Sequence, residues 1–360
     1  MKEIKRVLQK ALAEKELSRQ EIEVILTASK KEEQEEIFSA ARRMRERYFS
    51  QKIFAYGFVY FSTYCRNNCN FCYYRRENKK SPRYRKNREE ILEISRALTE
   101  SGVHLLDITM GEDPLYYKKD DFSRLLEITR ELKHISGLPV MASFGRVPDR
   151  ILDELVDIGV DWYACYQETH NRDLFADLRV GQDYQSRLEI KQKAAKKGML
   201  VEDGILLGVG ESAADRAYSI QRMRELEVDQ GRVMSFVPQK GTPMENTKIP
   251  GRINELLTIA ALRLVLRDSL VPASLDVEGI EGLSSRLQAG ANVVTSIIPP
   301  ASGLKGVSNS ELDIEEGRRN VQGVREELKQ QDLKLAEAGE YKNWITSRKQ
   351  RQRKGEVSWK

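Results

Sequence analysis

The chain has 360 residues, with 60 Lys and Arg against 55 Asp and Glu and 40% hydrophobic positions, enough to bury a sizeable core and too apolar for a disordered chain. Residues 341 to 360 hold seven basic residues against one acid, so this tail is +6 and the remainder −1, which removes the case for a nucleic-acid partner and predicts a solvated end over Arg348 to Lys354. No window approaches the roughly 18 consecutive apolar residues of a membrane span, charges interrupt Met1 to Leu17 where a signal peptide needs an apolar stretch, and four cysteines are too few for a secreted disulfide framework; the expectation is a cytoplasmic protein, off the membrane, whose cysteines serve chemistry or metal.

In chain order, Ser18 with Glu21 and Ser29 with Glu32 predict capping boxes, and Ile37, Ala40, Ala41 and Met44 put an apolar face on a helix over 30–48. From Ile53 short apolar runs alternate with charged, helically periodic stretches. Strands are expected at Ile53 to Phe61, His104 to Met110, Pro139 to Phe144, Asp161 to Gln167, Leu200 to Gly208, Arg232 to Val237, Pro272 to Leu275 and Asn292 to Ile298. Helices are expected near 88–101, 120–135, 148–158, 183–197, 212–227, 252–268, 280–289 and 311–336. Eight such units predict the α/β class, a (β/α)8 TIM-type barrel with an N-terminal helical extension. The rival, an open doubly wound sheet, lacks a dinucleotide glycine fingerprint after its first strand. The expected domains are a helical cap over 1–50, the barrel over 51–336 and the basic tail over 337–360.

After the first strand the chain reads Cys65-Arg66-Asn67-Asn68-Cys69-Asn70-Phe71-Cys72, three thiols at spacings of four and three. They suit three corners of a 4Fe-4S cubane, leaving one iron open, because Cys165 belongs to a different strand. A zinc site would pair two close couples or add histidine, and His104, His134 and His170 all lie away from the cysteines. Cys165 alternates with Tyr163 and Gln167 and is read as a small apolar core residue.

The three-cysteine loop, with Phe71 before its last thiol, resembles the radical S-adenosylmethionine (SAM) superfamily. The resemblance implies that the open iron chelates the methionine part of SAM, that a reducing electron donor such as flavodoxin or ferredoxin serves the cluster, and that a 5'-deoxyadenosyl radical abstracts hydrogen from a small-molecule substrate. Gly204 to Glu211 is similar to the family's fifth-strand motif, which implies Leu206 against the adenine. Met110-Gly111-Glu112-Asp113 resembles its glycine-glycine-glutamate turn, which implies Glu112 near the methionyl amine. Glu168 and Arg187 match the positions where biotin-synthase-like members hold the methionyl amine and carboxylate, a sound pairing of charges; the plain alternative is a strand-to-helix salt bridge between the two.

Longer phrases, among them Tyr60 to Cys65, Asp107 to Pro114, Tyr166 to Thr169 and Pro272 to Asp276, resemble a lysine-mutase branch of that group, which implies isomerisation of L-lysine to 3-methylornithine by fragmentation and recombination. Asp107, Arg232, Ser274 and Asp276 correspond to its substrate contacts. Two carboxylates and one guanidinium sum to −1 against +1 for lysine, so burying them together leaves no unpaired charge. Arg232 is expected to clamp the carboxylate bidentately and the aspartates to take the ammonium groups, in an order left open. The plain alternative makes Asp107 and Asp276 exposed loop residues. Rival functions are another biotin-synthase-like enzyme such as the hydrogenase maturase, or a non-catalytic iron-sulfur carrier.

Overall fold

A computed structural model describes residues 2–119, 121–249, 251–304 and 318–353. Every expected strand forms: β1 (Lys52–Ser62), β2 (Leu105–Met110), β3 (Val140–Ser143), β4 (Trp162–Ala164), β5 (Leu200–Leu207), β6 (Gln230–Ser235), β7 (Pro272–Ser274) and β8 (Val293–Ile297). All are parallel, in the order β6-β5-β4-β3-β2-β1-β8-β7. The ends of this ladder nearly meet, since Gly231 donates to the Leu270 carbonyl at 3.0 Å and Leu270 to that of Asp229 at 2.9 Å. The result is a TIM-type barrel, closed all but for that seam. Strands buried on both faces need near-continuous apolar runs, and β1 is buried at every position after Lys52.

β4 stops three residues short of the expected Gln167. Beyond Ala164 the chain leaves regular pairing and turns at Glu168, whose φ is +67°. Helices fill the expected intervals, and two were missed, Arg172–Leu178 and Ala338–Arg353. The start of the candidate over 311–336 lies outside the described residues, and its helix covers Val321–Gln330.

Among the N-terminal helices, Lys2–Leu12, Arg19–Leu26 and Lys31–Phe49, the Ser18 and Glu21 box forms. The Ser29 and Glu32 box does not: the third helix starts one residue later, with Lys30 as its cap and no side-chain cap bond. These helices lean on the barrel's outer layer, where Arg45 donates to the Leu287 carbonyl at 2.7 Å, and Arg19 reaches the Ala214 carbonyl at 3.0 Å.

The basic tail departs most from expectation. A helix over Ala338–Arg353 closes the amino-end mouth of the barrel. Trp344 stacks on Trp162 with ring centres 5.9 Å apart, and the Tyr341 and Tyr56 hydroxyls bond at 2.7 Å. Arg348, expected in solvent, is buried and pairs with Asp229 at 2.7 Å and Asp268 at 2.9 Å; Lys349 reaches Asp161 at 2.9 Å. Asp229, fully buried at the barrel floor, recruits Arg348 because an unpaired buried carboxylate is costly, and half-buried Asp161 and Asp268 share these cations. The end of the tail, from Lys354, lies outside the described residues.

Candidate active site

The three-cysteine loop leaves the carboxyl end of β1 and lies on the turn that follows β2. Gly111 permits this approach: a Cβ there would stand 2.3 Å from the Tyr64 carbonyl oxygen. Glu112 ties the two segments, accepting from Arg66 Nε at 2.8 Å and from the Arg146 amide at 3.1 Å, while Arg187 Nη1 stands 3.9 Å away. Both Glu112 oxygens are therefore engaged by protein donors.

The thiols of Cys65, Cys69 and Cys72 influence one another. Burial, then the charge of Cys69, pushes Cys65 up to about 11, and burial with repulsion from Cys69 and Cys65 pushes Cys72 higher still. Thiols held protonated in this way would release their protons only to a strongly cationic group such as iron. Among the described residues no three His, Cys, Asp or Glu side chains close around a single metal ion. Cys165 is buried in the barrel core.

The missed helix Arg172–Leu178 and the turn after it grip the loop from the other side. Asn70 donates to the Leu178 carbonyl at 2.8 Å, Gln182 Nε2 to Cys69 Sγ at 3.0 Å and Arg179 Nη1 to the same sulfur at 3.8 Å. Arg179 also pairs with Glu168 at 2.5 Å and lies over the Phe71 ring. Glu168 and Arg187 do not form the strand-to-helix salt bridge weighed from the sequence: Glu168 takes Arg179, and Arg187 Nε donates to the Tyr166 carbonyl at 2.7 Å. The strained stretch carrying Glu168 is held from beneath, where buried Asp203 accepts from the Gln167 amide at 2.8 Å and from Lys191 at 2.5 Å.

Beside the loop a cavity of about 110 Å³ opens, lined by Phe71, Cys72, Glu168, Leu206 and Phe236 toward the thiols and by Asp107, Arg232 and Asp276 in the interior. Leu206, Phe71, Val209 and Phe236 form one apolar cluster, a surface fit for an adenine ring. Asp107 and Asp276 are 5% and 1% exposed, so neither is a loop residue in solvent. Ser274 Oγ lies 3.3 Å from Ser296 Oγ and accepts from the Asp276 amide at 3.3 Å.

Two partners in this interior were not anticipated. Glu202 accepts from Arg232 Nε at 2.7 Å, Gln230 at 2.7 Å and the Tyr166 hydroxyl at 3.0 Å. Arg319 donates to Asp276 Oδ1 at 3.1 Å and to its carbonyl at 2.7 Å. Strand periodicity would have found Glu202, which shares a face with Leu206 four positions along β5. No local signal marks Arg319, which follows β8. The pair is opposite in charge, so the interior sum of −1 is unchanged. Arg232 is less free than expected, because Nε and Nη1 are already bonded to Glu202 and to Thr295 at 3.0 Å; Nη2 remains for a carboxylate.

Burial, then the charge of Glu202, lifts Asp107 to about 7 against the pull of Arg232, and Thr109 donates to it at 2.9 Å. A buried carboxylate this reluctant to ionise awaits a cation. Among the described residues no helix is long and apolar enough to cross a membrane.

Residues 59–223 match the model of the Radical SAM superfamily. The chain is 42% identical to 3-methylornithine synthase of Methanosarcina acetivorans, covering 91% of this chain and 92% of that protein. It is 29% identical to the [FeFe] hydrogenase maturase subunit HydE of Thermotoga maritima over 79% of this chain and 81% of the relative. A crystal structure of methylornithine synthase superposes with a TM-score of 0.89 at 40% identity, covering 94% of this chain and 99% of that one. The chain therefore belongs to the radical SAM superfamily and, within it, to the methylornithine synthase family.

Proposed function

We propose that this enzyme isomerises L-lysine to 3-methylornithine, the branched diamino acid that pyrrolysine biosynthesis uses. The observation that carries the substrate is the interior charge set: Asp107, Glu202 and Asp276 against Arg232 and Arg319, a net −1 enclosed in a cavity. A substrate of +1 with charges at both ends neutralises it once Asp107 ionises, whereas a neutral substrate gives Asp107 no reason to release its proton.

Cys65, Cys69 and Cys72 would hold a 4Fe-4S cluster, and SAM would lie along Phe71, Leu206 and the Glu168 and Arg187 pair, with Glu112 steadying the loop. When bound, these groups supply one-electron hydrogen abstraction. The protein's own part is positional. Arg232 Nη2 takes the substrate carboxylate while Glu202 fixes the guanidinium plane. Asp107 accepts an ammonium and gives up its proton as it does so. Asp276, held by Arg319 and Ser274, faces the other amine. Clamps at both ends keep the pieces of a broken lysine in near-attack range, and the barrel wall excludes water.

The test is anaerobic reconstitution with iron and sulfide, then dithionite, SAM and carbon-labelled lysine, with amino acids read by mass spectrometry. A labelled isomer of lysine eluting as methylornithine is the expected result. Unchanged lysine alongside 5'-deoxyadenosine would overturn the substrate. Neither product, from protein with its cluster intact, would favour the carrier.

A further inference from the structure

We infer that the exposed lysines around the cysteine loop form the docking face for an acidic one-electron carrier protein. The inference rests on the radical chemistry proposed above, which needs an electron brought from outside. Residues 65–88 hold nine basic side chains and a single acid, Glu77, in a chain whose body outside the tail is −1. Several of the nine are structural. Arg66 and Arg85 pair with Glu112 and Asp113, Lys86 and Arg88 with Glu90 and Glu131, and Arg83 braces the loop through the carbonyls of Thr63, Tyr74 and Arg75.

What remains is aimed outward. Arg76 is 62% exposed and shares Glu77 with Arg75; Lys79 and Lys80 are exposed. A second segment joins them: Asn78 donates to the Lys240 carbonyl at 2.9 Å, the Lys80 side chain abuts Gly241, and Lys240 is itself exposed. Among the described residues no carboxylate pairs with Lys79, Lys80 or Lys240. Unpaired ammonium groups on a backbone fixed by Arg83 and Asn78 make a steady positive field.

The patch also reaches the thiols by a short route. The Arg76 amide donates to the Asn67 carbonyl at 2.8 Å, and Glu77 and Asn68 bond to each other through amide and side chain, so 75–77 lies directly on the stretch between Cys65 and Cys69. A negatively charged carrier drawn here would sit over the thiol-bearing loop. In the step itself the carrier is oxidised by one electron and the cluster reduced by one, with no bond made or broken. Nucleic acid is disfavoured, because so few free cations release too few counterions for useful affinity.

The test uses the full chain with its cluster reconstituted, fully reduced flavodoxin as the probe and dithionite as a reductant that needs no docking. Flavin oxidation is followed by anaerobic stopped flow, and the reduced cluster by electron paramagnetic resonance. In K79E/K80E/K240E the flavodoxin rate should fall about tenfold or more at low salt, with the three glutamines falling less. The wild-type rate should drop as salt approaches about 0.3 M, and the triple glutamate variant should lose that dependence. Iron content and the dithionite rate should stay as in wild type. Equal flavodoxin rates, a wild-type rate indifferent to salt, or an equal loss with dithionite would each overturn the docking face, as would salt-sensitive RNA binding by the patch with no change in reduction. A wild-type cluster that never forms would instead bring down the functional reading beneath it.

Discussion

Two aspartates at opposite mouths of the barrel have opposite fates. At the amino-end floor, Asp161 stays below the usual carboxylate range: burial opposes its charge, but Lys349 and Lys133 outweigh burial. In the cavity toward the carboxyl ends, Asp107 is lifted to about 7, because burial and Glu202 outweigh the pull of Arg232. Asp161 has its two cations, whereas Asp107 lacks one that a ligand would supply; burial raises Asp229 at the floor as well, against the pull of Arg348. That contrast separates residues that hold the barrel shut from residues that hold a substrate.

The sharpest way to break the contrast is Arg232→Ala. It removes the substrate's carboxylate partner and strands Glu202, so turnover should fall by two orders of magnitude or more and stability by about 3 kcal/mol. Unchanged methylornithine output in that variant would sink the assignment of Arg232. Arg348→Ala tests the floor. Unfolding in denaturant should show a loss of about 3 kcal/mol from the stranded Asp229, while kcat/KM for lysine at low temperature stays near wild type. A selective loss of activity would mean the floor communicates with the site.

The titration of Asp107 sharpens the comparison next. Its folded value stands above its unfolded one, so its contribution to stability is full below about 3.8 and disappears as pH rises through about 7. Asp107→Asn should therefore melt higher than the substrate-free wild type at pH 8, with the gap closing toward pH 4. KM for lysine in wild type should rise as pH falls below 7, because a protonated Asp107 cannot pair with an ammonium. A flat profile would remove Asp107 from the ammonium site. The smallest effect belongs to Gln182→Leu. Loss of one N–H···S bond, worth about 1 kcal/mol, should lower the cluster's reduction potential without changing iron content.

Strands and cysteine loop were legible because each is a local pattern: apolar runs of strand length, and thiols at fixed spacing. The Ser29 box was misread because Ser and Glu at the right spacing do not fix which residue begins a helix. Glu202 was legible in principle from the alternation of β5. Arg319 and the gripping pair Arg179 and Gln182 were not, since their partners lie far along the chain and only the closed barrel joins them. The tail was misjudged for the same reason: a run of cations reads as solvated until the aspartates it meets at the floor are known.

That floor has a consequence for how the protein is made. Tyr341 and Tyr56 are 285 residues apart, so the contact that seals the barrel joins a late segment to its first strand. Throughout synthesis of the barrel its aromatic base, with Phe54, Tyr56 and Trp162, has no cover of its own. A nascent chain must wait for the last helix to emerge, and a message cut short before codon 338 would release a barrel whose exposed rings invite aggregation.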